Sequence, residues 1–274
     1  MKEKDIKTIW RVPKYLPYVQ PDLTNEILVN AEKLIGYKLP KDYVEILKIQ
    51  NGGYIRFTLQ DTVHSQIYGI GPYFPSLTQF DWTEDQEYVS FNLDGLFPFD
   101  GDGHWHLCLD YRKNKSEPEI TLIDTELDSE KFIAKNFQEY LSCLALDIKD
   151  EYTIESNLKL EALIEKISLE LKIEFEEPDS FSHGYPVYRS KFKNAWVWIS
   201  SNKVPTGFIR KDDYRYDELK SLMEKTSLRY PEISENFYFL SVSEDEAGKE
   251  LFSQLRGKSF VIRRLKELIY KKST

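Results

Sequence analysis

Residues 95–112 read Gly95-Leu-Phe-Pro-Phe-Asp-Gly-Asp-Gly-His-Trp-His-Leu-Cys-Leu-Asp-Tyr-Arg112. A short apolar run leads into an acidic turn with two glycines and then into strict alternation, which predicts a β-strand. The glycines permit positive φ angles, so we predict that Asp100 and Asp102 lie at an exposed turn. The strand has two faces, one with Trp105, Leu107 and Leu109 and the other with His104, His106, Cys108 and Asp110.

This stretch belongs to a segment with no positive charge. No Lys or Arg occurs between Arg56 and Arg112, and nine acidic residues do: Asp61, Asp81, Glu84, Asp85, Glu87, Asp94, Asp100, Asp102 and Asp110. Aromatic residues are interleaved with them: Tyr68, Tyr73, Phe74, Phe80, Trp82, Tyr88, Phe97 and Trp105. Aromatic anchors framed by charge are typical of tight protein interfaces. The segment therefore predicts an acidic, aromatic surface for a basic protein partner. The alternative is that most of the rings are core and the acids form a solvated rim.

Composition and charge indicate a folded protein with two domains. The 274 residues contain 14% aromatic and 30% charged side chains, which is typical of globular rather than disordered chains. The whole net charge of −9 arises in residues 1–150, with 25 acidic residues against 16 Lys and Arg, because residues 151–274 hold 21 of each. This asymmetry predicts domains at 1–150 and 151–274. An acidic half also favours a basic protein partner over nucleic acid or membrane.

The chain has no feature of an exported or membrane-spanning protein. No apolar run approaches the roughly 18 residues that cross a bilayer, and the first residues lack the apolar core of a signal peptide. Cys108 and Cys143 give no disulfide framework, so we predict two reduced thiols packed in the core. We expect a cytoplasmic protein.

The first half predicts an α+β domain. One helix begins with Asp22 as its cap and ends at Gly36, and a second follows Pro40 and ends at Asn51-Gly-Gly53. Strands are predicted over 54–59, around 104–110 and over 119–124, and a loop-rich part over 60–92 that wraps an edge of the sheet. Ile133, Phe137, Leu141 and Leu144 have helical spacing and predict a closing helix.

The second half predicts another small α+β domain, for which no family is recognised. Apolar spacing indicates a helix over 160–171, paired strands over 185–191 and 195–199, and a short helix near 219–223. A buried strand is predicted over 237–242, and a helical region over 260–269. The task of this domain is open.

Motifs for catalysis or metal binding are weak. The run Asp100-Gly-Asp-Gly-His104 resembles the start of a calcium loop, but Tyr111 occupies the position of the required bidentate acid. His104 and His106 share a strand face, yet no second ligand pair has the spacing of a zinc site. No phosphate-binding loop, dinucleotide fingerprint or nucleophile elbow is present. We predict a non-catalytic protein with no catalytic residue, no metal and no cofactor.

Three segments in order resemble the SUKH superfamily, over about residues 20–147. They are Gly36-x-x-Leu-Pro-x-x-Tyr43 with Asn51-Gly-Gly53, then Phe97-Pro-Phe99 with Asp102-Gly and Cys108-Leu-Asp110, then Ile133-Ala-x-x-Phe137-x-x-Tyr140-Leu141. This superfamily includes fungal cell-wall assembly regulators and bacterial immunity proteins that neutralise polymorphic toxins. The resemblance implies a non-catalytic α+β binding module. It does not cover the long C-terminal extension.

These observations lead to one preferred hypothesis. The protein is an immunity protein of the bacterial type that covers a basic surface of a toxin, such as a nuclease, with its acidic aromatic segment. The alternative is a regulatory or scaffold protein that recruits a cellular partner. The oligomeric state is open. The predicted partner-binding residues are Asp61, Asp81, Trp82, Glu84, Asp85, Glu87, Asp100, Asp102, His104 and Trp105.

Overall fold

The computed structural model describes residues 6–83, 85–149, 151–223, 225–258 and 260–270. The chain divides into two compact units, Met1–Asp147 and Ile148–Thr274. Both units combine helices with antiparallel strands, which confirms the predicted α+β class.

The first unit contains the helices α1 (Asn25–Ile35), α2 (Lys41–Ile49) and α3 (Phe137–Cys143). Thr24, and not Asp22 as predicted, caps α1, because its Oγ1 accepts the Ile27 N–H at 3.2 Å. Gly36 ends α1 with a φ of 78°. Asn136 caps α3 by accepting the Glu139 N–H at 2.9 Å, so this helix begins later than predicted.

The main sheet of the first unit is four-stranded and antiparallel. Its strands lie in the order β5 (Leu96–Gly101), β6 (Trp105–Asp110), β7 (Glu119–Asp124) and β8 (Ser129–Ala134). Ile133 belongs to β8, so its assignment to the closing helix was wrong. The short strands are β1 (Lys14–Tyr15), β2 (Gly53–Tyr54), β3 (Phe57–Thr58), β4 (Gln66–Ile67) and β9 (Ala145–Leu146).

The strand predicted over 54–59 is interrupted between β2 and β3. There the Ile55 N–H donates to the Ser65 carbonyl at 2.9 Å and the Arg56 N–H donates to the Ile9 carbonyl at 2.8 Å. These two residues therefore bond to two different segments, and no single ladder continues through them.

One face of the main sheet packs on the helices through aromatic rings. The Phe99 and Tyr140 ring centroids are 5.3 Å apart, those of Phe137 and Tyr140 are 4.9 Å apart, and those of Tyr43 and Phe137 are 5.2 Å apart. All four rings are fully buried. Burial of each ring contributes on the order of 2 kcal/mol to the free energy of unfolding. These rings lie in all three segments that resemble the SUKH superfamily.

The Asn51-Gly52-Gly53 run ends α2 and fixes a neighbouring loop. The Asn51 side chain accepts the Ile70 N–H at 2.8 Å and donates to the Ile70 carbonyl at 2.8 Å. Gly52 has a φ of 93°, and a Cβ built on it would lie 2.5 Å from the backbone nitrogen of Gly69. Only glycine fits this close approach of two backbones.

The opposite face of the sheet is also covered. Leu93 and Leu96 pack on Cys108 and Ile123, and the Trp82 Nε1–H donates to the Leu96 carbonyl at 2.9 Å. The last part of the loop before β5 therefore lies across a sheet face. Both faces of β6 are buried as a result. The first part follows the sheet edge, as was predicted for 60–92, because the Tyr68 N–H donates to the Phe99 carbonyl of the edge strand β5 at 2.7 Å.

The second unit contains a five-stranded antiparallel sheet. Its order is β11 (Val187–Phe192), β12 (Ala195–Ser201), β16 (Phe237–Val242), β10 (Tyr152–Glu155) and β17 (Val261–Arg264). Helices α4 (Leu160–Leu171) and α6 (Asp245–Arg256) pack on one face. With β11 as an added edge strand, these elements follow a β-α-β-β-α-β order.

One element of the second unit was missed, and one expectation was wrong in part. Helix α6 was not predicted, and the helical region expected over 260–269 is strand β17 followed by a short helix, α7 (Leu265–Tyr270). The remaining elements are β13 (Lys203–Pro205), β14 (Gly207–Phe208), α5 (Tyr216–Leu219) and β15 (Thr226–Leu228).

Both cysteines are free thiols. Cys108 is buried but Cys143 is exposed, so the prediction that both pack in the core is wrong for Cys143. Of the helices in the described part of the chain, none combines the length and the apolar character that a membrane span needs.

Candidate protein-binding surface

The structure separates the ten predicted partner-binding residues by exposure. Glu84 lies outside the described residues. Trp82, Asp85 and Trp105 are half-buried, and Asp100 is buried. The exposed residues are Asp61, Asp81, Glu87, Asp102 and His104. Asp61 lies in the loop between β3 and β4, away in sequence from the others.

Asp100 corrects the prediction of an exposed acidic turn at this position. Its side chain is only 1% exposed, because β5 continues to Gly101 and carries Asp100 into the interior. One carboxylate oxygen, Oδ2, lies 2.6 Å from His64 Nδ1 and accepts the backbone N–H groups of Ser65 and Gln66 at 3.1 and 3.2 Å. The exposed part of the turn begins only after Gly101.

His64 joins Asp100 to Tyr140 in a buried triad. Since the Asp100 carboxylate accepts three other N–H groups, we assign the Nδ1–H of His64 as the donor to it. The other ring nitrogen, Nε2, lies 2.7 Å from the Tyr140 hydroxyl. Burial raises the pKa of Tyr140 well above its ordinary value, and Asp100 adds to the rise. His64 is 2% exposed and Tyr140 is 0% exposed, so the triad serves to hold β5, α3 and the loop before β4 together.

The two predicted tryptophan anchors are half-buried and pack on neighbouring side chains. Trp105 packs against the main core, and Trp82 packs against Phe80 and the edge of His106. The exposed rings and apolar side chains near the acidic turn are different ones. Tyr88 is 74% exposed and Leu127, in the turn between β7 and β8, is 75% exposed.

Carboxylates from two loops, Asp85 and Glu126, lie at a shallow hollow. We call these two residues the acidic rim, together with Glu87, which precedes Tyr88 in the chain, and Asp102, which lies in the turn next to His104. Asp85, Tyr88, Thr125 and Glu126 line this hollow. The β7–β8 turn is fixed beside the acidic turn, because the N–H and Oγ1 of Thr125 donate to the His104 carbonyl at 2.8 and 3.0 Å.

Further contacts hold the loops of the rim together. His104 Nδ1 lies 3.0 Å from a Glu126 carboxylate oxygen. The Asp128 carboxylate accepts the Ser90 N–H at 2.6 Å and so joins the loop after Glu87 to the β7–β8 turn. Sequence reasoning missed Glu126, Leu127 and Asp128. The signal that could have found them is the pairing of β6 with β7, which places the β7–β8 turn beside His104.

The rim carboxylate of Asp102 is held in its charged form. Slight burial alone would raise its pKa, but the backbone N–H groups of His104 and Trp105 donate to its Oδ1 at 3.0 and 3.2 Å. With the nearby His104 ring, these donors hold the pKa of Asp102 below its ordinary value. Asp102 therefore adds a stable negative charge to the surface.

His106 lies beneath this surface without a polar partner of good geometry. Its ring is 2% exposed, both ring nitrogens lack a hydrogen bond, and Phe80 and Trp82 meet it with centroids 4.8 and 5.2 Å away. Burial lowers the pKa of His106, and the carboxylates of Asp85 and Asp102 offset this only in part. His106 is therefore a packing residue that resists protonation.

We expect His106 to make the first unit sensitive to acid. A histidine in the unfolded chain takes up its proton near pH 6.5, whereas the folded chain resists until the pH is lower. The free energy of unfolding should therefore have its full value above about pH 6.5 and fall as the pH drops below that value. Replacing His106 by Leu should reduce this loss between about pH 7.5 and about pH 5.5, measured by urea unfolding. His104→Gln, at an exposed histidine, should keep it. An equal acid loss in wild type and His106→Leu would contradict this account.

Asp110 takes part in an ion pair at the end of β6. Arg112 donates to its two carboxylate oxygens at 2.9 and 2.7 Å and also to Glu130 at 2.8 Å. Burial alone would raise the pKa of Asp110, but these hydrogen bonds, with one from Thr121, hold it below its ordinary value. Asp110 is thus not part of the rim, and the charge of Arg112 is compensated.

Within the described residues, no group of three or more His, Cys, Asp or Glu could hold a metal ion.

Comparison with known proteins identifies the first unit. Residues 22–143 match the model of the SMI1 / KNR4 family (SUKH-1), and the rest of the chain lies outside the match. No curated protein matches the chain. The family is associated with immunity proteins and cell-wall regulators. The matched segment spans α1 to α3 and contains the main sheet and the acidic rim. Residues 22–143 therefore form a SUKH-1 domain, which confirms the resemblance seen in the sequence.

Proposed function

We propose that this protein is a non-catalytic protein-binding module whose acidic rim binds a basic protein. We propose further that it is an immunity protein and that the partner is a cognate toxin. The family match supports a binding role, and the geometry of the rim supports the sign of the partner's charge.

The observation that carries this proposal is the arrangement of the rim. Glu87, Asp102 and Glu126 are exposed, and so are two apolar side chains, Tyr88, which follows Glu87 in the chain, and Leu127, which follows Glu126. The apolar pair supplies area that a partner can bury, and the carboxylates attract a cationic surface and orient it. Enzymes that act on nucleic acids present such cationic surfaces to phosphates. A protein that covers this surface blocks the substrate without any chemistry of its own.

The proposal assigns no binding task to the second unit and treats it only as a separate domain. We propose that residues 1–150 act as the SUKH-like domain and residues 151–274 as a separate α+β domain. The acidic charge of the first half favours a protein partner over nucleic acid or membrane. A cytoplasmic location is proposed with it.

Capture of partners from the native cells tests the proposal. The tagged full chain is used as bait, bound proteins are released by stepped salt, and each fraction is identified by mass spectrometry. We expect one basic protein, released at moderate salt because the contact is between opposite charges. Recovery of housekeeping complexes that ignore salt would instead favour the regulatory or scaffold function.

A further inference from the structure

A second hollow lies in the loop that covers the sheet of the first unit. We call it the aromatic hollow. It is lined by residues that include Phe80, Trp82, Phe91, Asp81 and Asp94. The Phe80 and Trp82 centroids are 4.4 Å apart, and the Trp82 indole is fixed by its hydrogen bond to the Leu96 carbonyl. No part of the function proposed above uses this hollow.

The wall of the aromatic hollow is braced from within. The Gln86 side chain donates to the Phe91 carbonyl at 3.0 Å and accepts the Leu93 N–H at 2.9 Å. These bonds join the two ends of the loop segment that carries Phe91. A ligand would therefore meet a preformed surface, which reduces the entropy lost on binding.

The charge of the aromatic hollow is negative. Asp81 is exposed and accepts hydrogen bonds from the Thr83 N–H at 3.0 Å and the Thr83 hydroxyl at 2.6 Å, which lower its pKa and keep it charged. Asp94 is also exposed. Arg112 reaches this part of the loop through the Asn92 carbonyl, but its charge is compensated by Asp110 and Glu130.

We propose that the aromatic hollow receives an arginine side chain of the partner protein. The inference rests on the proposed function and names the group that this part of the surface recognises. A guanidinium is planar and stacks on aromatic rings, and its N–H groups pair with carboxylates. Phe80 and Trp82 provide the rings, and Asp81 and Asp94 provide the acceptors. A neutral side chain of the same shape lacks the charge that both contacts need.

The test uses the ¹⁵N-labelled full chain and two capped tripeptides, Gly-Arg-Gly and Gly-citrulline-Gly. The chain has five tryptophans, so the indole N–H signals report on the hollow through Trp82 and on other places through the remaining four. We expect the Trp82 signal to shift saturably with the arginine peptide, with about 10-fold weaker binding of the citrulline peptide. Trp196 and Trp198, in the second unit, should not move.

Two variants complete the test. Asp81→Asn combined with Asp94→Asn should reduce arginine binding to the level of citrulline, while Glu45→Gln combined with Glu165→Gln, at exposed residues outside the hollow and the rim, should leave it unchanged. An unmoved Trp82 signal, or equal binding of both peptides, would overturn the inference. Failure of the proposed function is a separate result: the arginine peptide binds in the hollow, but the native cells yield no basic protein partner.

Discussion

Replacing Asp85, Glu87 and Glu126 together by Lys should weaken binding of the partner by at least about 100-fold at low salt. The exchange turns attraction into repulsion at three positions of the rim, in the two loops that also carry the exposed side chains of Tyr88 and Leu127. Titration calorimetry with the captured partner, at about 50 mM and about 300 mM salt, measures the effect. The wild type should lose affinity with salt, and the variant should lose its salt dependence or gain affinity as salt increases.

A matched control variant separates the effect of charge at the rim from the effect of the net charge of the protein. Glu45, Glu117 and Glu165 are exposed and lie on α2, in the β6–β7 turn and on α4. Exchanging these three for Lys changes the net charge by the same amount, and binding should stay within about 3-fold of the wild type. If the rim variant binds as tightly as this control, the acidic rim is not the interface.

The largest effect on stability is expected at His64. The His64→Ala change should lower the free energy of unfolding of the first unit by about 3–5 kcal/mol. It removes the group that pairs with the buried Asp100 carboxylate at 2.6 Å and leaves the Tyr140 hydroxyl without its contact to Nε2. Urea unfolding followed by tryptophan fluorescence measures the change.

His104→Ala is the control for this prediction. His104 is an exposed histidine that also lies beside a carboxylate, Glu126, but its loss leaves no buried group unpaired. We expect a small change in the unfolding midpoint. If His64→Ala unfolds at the same urea concentration as the wild type, the buried triad does not stabilise the fold.

Alternation of side chains predicted the central strands of the first unit well. The period of two around His104–Asp110 corresponds to β6, because alternation follows directly from strand geometry, and the strand predicted over 119–124 is β7. The pattern did not show what covers each face. His106 and Cys108 are buried by residues such as Trp82 and Leu96. Such cover depends on the path of a loop, which carries no periodic signal.

The sequence predicted that this surface is negatively charged, but it did not predict which residues form the surface. The absence of Lys and Arg between Arg56 and Arg112 indicated a negative segment. Asp100 nevertheless lies inside, because four N–H donors meet its carboxylate there. Glu126 enters the rim because Trp105 pairs with Asp124, a relation set by strand register. Neither the donors nor the register can be read from local sequence.

One measurement tests the central claim most directly. The basic protein captured from the native cells is produced in a sensitive host, alone, with the wild-type chain, and with the Asp85, Glu87 and Glu126 to Lys variant. We expect the partner alone to stop growth, the wild type to restore it, and the folded rim variant to fail. Equal protection by the wild type and the rim variant, or a partner without toxicity, would contradict immunity through the acidic rim.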